Sequence, residues 1–361
     1  MDAEESRGKE DDTNRRDAAA GVLAVGAFVV VTPGQTLGRL LDGDERPDPF
    51  NDTGAPGRIG SAHLESVEAA TVDLERLDAE HGGGRAYGPA TVLIRRVNGW
   101  LRDGSYPSQV GEGLRHALGK LQSWAGWFAF DIGDQRAARG HWHQSLLAAR
   151  VLDDKPLKVD ALMQMSLLSK RLGRGRDAVD LARAAQRSAA GWATPRRTAL
   201  LHLRVARGHA VTPDLGGLRR ELASAYHFFD KGPHEDDPPW FGNFFTETGF
   251  AGFEAICYED LGVLDRAVAL YRDVHDRADP GRQRKSAYYT VRLGQALLRQ
   301  GDATGAGEIG IEALPLVSAI RSGRIGHRLA VLRSGLAPHR SSPQAGEFID
   351  RYDHAFAGPP D

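Results

Sequence analysis

The chain of 361 residues carries 46 lysine and arginine residues against 48 aspartate and glutamate residues, a formal net charge of −2. This near-neutral charge excludes a global positive field that would attract nucleic acid or an anionic membrane. Cys257 is the single cysteine, which excludes an intrachain disulfide framework and metal sites built from several cysteines. We therefore expect a cytoplasmic protein.

The first 59 residues divide into three segments of different composition. We expect a disordered acidic tail at 1–17, an apolar helical segment at 18–41 and a linker rich in Asp, Pro and Gly at 42–59. Arg15 and Arg16 precede the apolar run, which leaves a twin-arginine export signal as an alternative. The flank is acidic and no small-residue cleavage site follows, so a helix that covers one end of the core is the preferred interpretation.

From residue 60 onward, apolar residues recur at helical spacing. The first predicted helix begins at Ser61 and stops before Gly82. Its apolar residues lie three or four positions apart: Leu64, Val67, Ala70, Leu74 and Leu77. A second helix extends to Leu101, and no convincing alternation of β-branched residues follows. The pattern predicts an all-α protein with an N-terminal helical cap at 60–120.

Residues 121–320 repeat one spacing of small residues. A small residue is followed after seven positions by the turn and after five more by another small residue, usually alanine. The predicted turns between paired helices fall at residues 133, 173, 213, 262 and 301. Glycine at a turn ends the first helix in a left-handed conformation. The alanines expected where the second helix crosses the first are Ala138, Ala178, Ala267 and Ala306.

This spacing resembles the tetratricopeptide repeat, with helices longer than in its unit of about 34 residues. Segments such as LQSWAGWFAFDIGD, CYEDLGVLDRAVALY and RLAVLRSGLAPHRSSP keep the order found in actinobacterial tetratricopeptide-containing Xre-type transcriptional regulators. The resemblance covers roughly residues 57–355. It implies an α-solenoid of tetratricopeptide-like hairpins at 121–320, closed by C-terminal capping helices at 321–357.

Members of that family usually carry an N-terminal helix-turn-helix that reads DNA. The residues before 57 contain no pair of polar-faced helices and no basic recognition helix. We therefore expect this chain to be the sensor portion of such a regulator without its DNA-binding helix-turn-helix. The resemblance then implies a non-enzymatic regulatory protein that binds a protein, a peptide or a small signalling molecule. We expect no cofactor, no membrane association and no direct binding of nucleic acid by this chain alone, and we leave a homodimer open.

Two alternatives to this function remain. A DNA-binding regulator would act through a missing or separate helix-turn-helix, and an enzyme or biosynthetic accessory protein would use the repeat only as a scaffold. No catalytic motif supports the enzyme. His141 and His143 point about 200° apart on a helix and do not share a metal ion without other ligands. We therefore expect neither a catalytic residue nor a metal site.

The concave face of the predicted solenoid is the candidate binding site. First helices contribute to it Trp127, Asp131, Met163, Gln164, Arg171, Arg207, Ile256, Asp260, Tyr288, Arg292 and Gln295. Trp240, Phe244 and Glu247 add one helical stripe. We expect a ligand between the second and fifth hairpins, anchored by Trp240 and Phe244 and held by Arg292 and Gln295. Alternatively the aromatic residues seal helix ends, and an arginine facing Glu247 forms an internal ion pair.

Overall fold

A computed structural model describes residues 58–237, 241, 244–279, 283–320 and 322–356. Within these ranges the chain forms α-helices, one short 3-10 helix and no β-strand, which confirms the expected all-α class. The tail, the apolar segment and all but the last residues of the linker lie outside the described residues. No helix in the described part is both long and apolar enough to span a membrane.

The described helices follow one another through short connections, apart from a longer segment between Phe229 and Glu247. They are α1 (Ser61–His81), α2 (Gly83–Asp103), α3 (Ser108–Ile132), α4 (Gln135–Val151), α5 (Lys155–Arg171), α6 (Gly175–Ala189), α7 (Pro195–Val211), α8 (Leu215–Phe229), α9 (Glu247–Leu261), α10 (Leu264–Asp276), α11 (Gln283–Gln300), α12 (Ala303–Ser318), α13 (Gly323–Leu336) and α14 (Pro343–Phe356). The first helix has the bounds that the sequence predicts. Residue 121, where the predicted array begins, lies inside α3.

The turns within the helix pairs α3/α4, α5/α6, α7/α8, α9/α10 and α11/α12 fall at the predicted positions. Four of them contain a glycine with φ between +72° and +95°: Gly133, Gly173, Gly262 and Gly301. In this region a Cβ is unfavourable, so glycine is the residue that stops the first helix there. Asp134 and Asp302 then begin the second helix of their pairs by accepting a hydrogen bond from the backbone three residues on, each at 2.8 Å.

Small residues let the two helices of a pair approach closely. The alanines predicted at the helix crossings are fully buried: Ala138, Ala178, Ala267 and Ala306. At Gly126 an added Cβ would lie 2.4 Å from Nε1 of Trp142, a fully buried side chain of α4. The predicted spacing is therefore confirmed as a packing pattern, in which small residues on one helix make room for the next.

Helices pack mainly against their neighbours in sequence and against the next helix but one, as α7 does with α9 and α11 with α13. In addition, α13 contacts α3. Ser322 and Asp131, which lie 191 residues apart, are hydrogen-bonded across this contact. The contact brings helices from the two ends of the described part together, and the candidate site lies beside it.

Candidate functional site

Arg292 on α11 forms an ion pair inside the protein. Its Nε and Nη2 atoms donate to Oε2 of Glu259 on α9 at 2.8 and 2.5 Å. The Tyr271 hydroxyl donates to the same oxygen at 2.6 Å. Arg292 is 1 % exposed, so this guanidinium faces protein and not solvent. The partner is Glu259 and not Glu247, whose side chain is 84 % exposed.

Asp131, at the C-terminal end of α3, gathers donors from three other helices or their ends. Its fully buried carboxylate accepts from the Gly83 amide at 3.2 Å, the Ser322 hydroxyl at 3.1 Å and Nε of Arg324 at 3.2 Å. Nη2 of Arg284 lies 2.9 Å from it. Burial raises the pKa of Asp131, but Arg284 and Arg324 outweigh burial and hold it below its ordinary value. Asp131 is therefore a buried carboxylate that stays ionised.

Asp78 on α1 extends this cluster. Its Oδ2 atom accepts from Nε1 of Trp127 at 3.0 Å and from Nη1 of Arg284 at 2.8 Å. The guanidinium carbon of Arg324 lies 5.4 Å from the centroid of the Trp127 ring. Trp127 thus packs between an acid and an arginine of the protein itself.

Tyr288 joins the two clusters. Its hydroxyl accepts from Nη1 of Arg292 at 3.0 Å, and Arg324 and Arg328 lie 4.6 and 5.7 Å from its ring centroid. Burial opposes ionisation of the phenol, but the surrounding arginines prevail and hold the pKa of Tyr288 well below its ordinary value. We call the continuous set the buried charge network: Asp78, Asp131, Glu259, Arg284, Tyr288, Arg292 and Arg324.

Further cations border this network. Lys170 on α5 pairs with Asp260, which also lies 3.7 Å from Nη2 of Arg292. Arg204 and Arg207 on α7 are buried, and each has a buried Nε without a hydrogen-bond partner among the described residues. Burial and the proximity of Arg207 lower the pKa of Arg204 to about 9. Positive charge therefore exceeds negative charge on this side of the network.

An open cleft of about 360 Å³ borders the network between α5, α9, α11 and α13. We call it the arginine cleft, and its lining residues are Arg171, Glu259, Gln295, Leu298, Arg299, His327, Arg328, Val331, Leu332 and Gly335. Gln295 is fixed there by two hydrogen bonds to Arg328, from its Nε2 to the carbonyl oxygen at 2.8 Å and from the guanidinium to its Oε1 at 2.9 Å. Of the two polar contacts expected for a ligand, Gln295 lines the cleft, whereas Arg292 lies in the network.

The other predicted site residues divide by location. Those in or beside the network are Trp127, Asp131, Arg207, Asp260 and Tyr288. Met163 and Ile256 are buried in the apolar core, and Gln164 is half-buried with an Oε1 atom that has no hydrogen-bond partner among the described residues. Phe244 packs against Phe253 at a ring distance of 5.5 Å and does not line the cleft. Trp240 lies outside the described residues.

His141 and Cys257 are of residue types that can be reactive, but their surroundings in the structure indicate a structural role. His141 has Nδ1 at 2.6 Å from Oε1 of Gln122 and Nε2 at 3.4 Å from the Tyr87 hydroxyl. Cys257 is fully buried, and burial raises the pKa of its thiol to about 12. The described residues contain no group of three or more His, Cys, Asp or Glu side chains placed to hold a metal ion.

Sequence reasoning missed four members of the network, Asp78, Glu259, Arg284 and Arg324, and most of the cleft lining, including Arg328. The sequence does contain one indication of the network, because the carboxylates Asp131, Glu259 and Asp260 lie in the last turn of their helices. The helix dipole disfavours carboxylates there, so such residues indicate a cation nearby.

Neither a protein-family model nor a curated protein matches this chain.

Proposed function

We propose that this chain is a non-enzymatic regulatory protein that binds a partner or a small signal through a solenoid of tetratricopeptide-like hairpins, as the sensor portion of a transcriptional regulator. One observation carries the proposal. The residue two positions before each turn glycine is charged, and these residues, Asp131, Arg171, Asp260 and Arg299, all lie in or beside the network and the cleft. Helical repeats bring equivalent positions onto one surface in this way, and they use that surface for binding.

The ionisation of two buried carboxylates, Asp131 and Asp260, argues against their use as a general acid or base. Burial raises the pKa of Asp131 and of Asp260, but neighbouring arginine and lysine side chains outweigh it and hold both below the ordinary value. A general acid or base needs a pKa near the working pH, which these carboxylates do not have. A fixed array of charges with an open cleft beside it suits recognition of a ligand of matching shape and charge.

Native mass spectrometry of the chain, purified from cells that express it naturally, tests the binding function. We expect a bound small molecule, peptide or protein at a fixed ratio to the chain. A mass equal to the bare chain under all growth conditions would contradict the proposal. The variant Val331→Asp, which places a negative charge in the lining of the cleft, should lose the bound molecule and keep its helical circular dichroism.

A gel-shift experiment separates this proposal from a DNA-binding role. Because the net charge is −2, we expect no shift of duplex DNA by the chain alone at physiological salt. Nanomolar binding that weakens steeply with added salt would favour the alternative of a DNA-binding regulator.

A further inference from the structure

We infer that the arginine cleft binds a small amphiphilic anion, a molecule with one anionic head group and a short apolar body. The inference rests on the proposed binding function and names the ligand class for it. Arginine and histidine side chains line the cleft together with the apolar side chains of Leu298, Val331 and Leu332. The two kinds of lining correspond to the two parts of such a ligand.

The cations of the cleft have spare capacity to bind an anion. Arg171 stacks on the Phe130 ring at 5.6 Å and has no carboxylate partner among the described residues. Nε of Arg328 is buried and lacks a hydrogen-bond partner among them. The single carboxylate of the lining is Glu259. This carboxylate pairs with the buried Arg292 and, at 3.6 Å, with Arg299 of the lining, so Arg171 and Arg328 are the cleft cations without a carboxylate within 4 Å among the described residues.

The protein behind the cleft adds to its positive potential. Lys170, Arg207 and Arg292 are buried near it, with Glu259 and Asp260 as the nearby carboxylates. Charges surrounded by protein are screened less than surface charges, so their fields add in the cleft. An anion bound there offsets the repulsion among these cations, and arginine offers it a pair of parallel donors.

The apolar lining and the size of the cleft limit the rest of the ligand. Val331 is 48 % exposed, and a ligand that covers it would remove apolar surface from water. A volume of about 360 Å³ is at the low end for small-molecule sites. It accommodates a short acyl or aromatic body and excludes a folded protein domain.

Isothermal titration of the full chain with three eight-carbon probes tests the inference. Octanoate, octyl phosphate and octanol have the same apolar body and differ in the head group, and each is used below its micelle concentration. We expect at least one of the two anions to bind ten or more times more tightly than octanol. Which anion binds more tightly distinguishes a carboxylate ligand from a phosphate ligand. Equal affinity for all three probes, or no binding of any, would overturn the inference.

Two matched variants locate the binding site. Arg171→Gln removes a cation of the cleft without leaving a carboxylate unpaired, and Arg176→Gln removes an exposed cation of α6 outside the cleft. We expect Arg171→Gln to weaken binding of the anion at least fivefold and Arg176→Gln to leave it unchanged. Equal effects of the two substitutions would contradict the site. A neutral molecule recovered by native mass spectrometry, with no anion selectivity in titration, would refute this inference and leave the binding function standing.

Discussion

Arg292 is a charged side chain enclosed by protein, and it is stable there because it donates hydrogen bonds to Glu259 and Tyr288 and lies 5.9 Å from the centroid of the Tyr271 ring. Removing one partner of such a buried pair leaves the other as an uncompensated charge, which costs about 3–5 kcal/mol. We therefore predict that Arg292→Met lowers the free energy of unfolding by about that amount. Urea unfolding followed by circular dichroism measures it.

The control for this substitution is Arg340→Met, because Arg340 pairs with Asp350 on the surface. Exposed pairs contribute roughly 0–1 kcal/mol, so we expect little change. Similar effects of the two substitutions would show that Arg292 is not held by a buried ion pair. A large loss of stability would also make Arg292→Met unsuitable as a test of ligand binding, because weaker binding could then result from unfolding alone.

Asp131 makes stability depend on pH in a defined direction. Burial raises its pKa, but Arg284 and Arg324 outweigh burial, so the folded-state value lies below the ordinary value of about 3.9. The contribution of Asp131 to the free energy of unfolding is then complete above its ordinary pKa, and it is lost as the pH falls through the folded-state pKa. We predict that the stability difference between wild type and Asp131→Asn is constant above about pH 5 and narrows below about pH 4. Urea unfolding between pH 3 and 7 measures it, and a difference that widens in acid would contradict the prediction.

The partners of these charges could be predicted only in part. The repeat spacing predicts that Arg292 and Asp131 share one face of the first helices, because their positions are counted back from a turn glycine, and the structure holds both in the buried charge network. Their partners depend on how successive helix pairs are rotated against each other. The sequence near Glu259 or Arg284 does not determine that rotation, so only the structure shows which acidic side chain pairs with which arginine.

At the level of the helix, the same substitution has opposite effects at two glycines of one helix pair. Gly133 has φ +94°, where a Cβ costs roughly 1–2 kcal/mol, and Gly140 lies in the middle of α4 with open space around it. We predict that Gly133→Ala lowers the melting temperature. Gly140→Ala should raise it, because alanine is more stable in a helix by about 0.5–1 kcal/mol. Thermal unfolding by circular dichroism measures both, and a shift of the same sign for both would contradict the assigned turn.

Two alanines of α10 test the helix crossing in a similar way. Ala267 is fully buried, and Ala269, two positions away, is exposed. Leucine at position 267 has to displace packed atoms, which costs about 1–3 kcal/mol, whereas leucine at 269 extends into solvent. We predict that Ala267→Leu lowers the urea midpoint and that Ala269→Leu leaves it nearly unchanged. An unaffected Ala267→Leu variant would remove this position from the helix interface.

The helices and their turns are the part of the fold that the sequence predicts well. A glycine with positive φ and an alanine at a close crossing are local requirements, so their spacing can be read directly along the chain. The contact between α3 and α13 is of a different kind, since it joins Asp131 to Ser322 across 191 positions. Its formation depends on the sum of all intervening helix angles, which no single segment specifies.

For the molecule as a whole, Arg284 connects α11 to Asp78 and Asp131 on α1 and α3. We predict that wild type unfolds in urea with one midpoint by fluorescence and by circular dichroism. In Arg284→Met the two midpoints should separate, with fluorescence changing first. The reason is that most tryptophans lie in α2–α4, namely Trp100, Trp124, Trp127 and Trp142.

Arg277→Met is the control for this experiment, because Arg277 is partly exposed and pairs only with carboxylates that are themselves exposed, Asp273 of α10 and Glu247 of α9. Its two midpoints should coincide, as in wild type. Separation in the control, or coincidence in Arg284→Met, would show that Arg284 does not couple the two ends of the described part.

The contact between α3 and α13 has a consequence for how such a chain can change during evolution. Where the ends of a repeat protein are independent, whole repeats can be duplicated or lost, because each unit contacts only its neighbours. Here one helix pair added or deleted between α3 and α13 would move Ser322 and Arg324 away from Asp131 and leave that buried carboxylate without two of its partners. The number of pairs is thereby fixed, and changes in length are confined to the connections between them, such as the longer segment between α8 and α9.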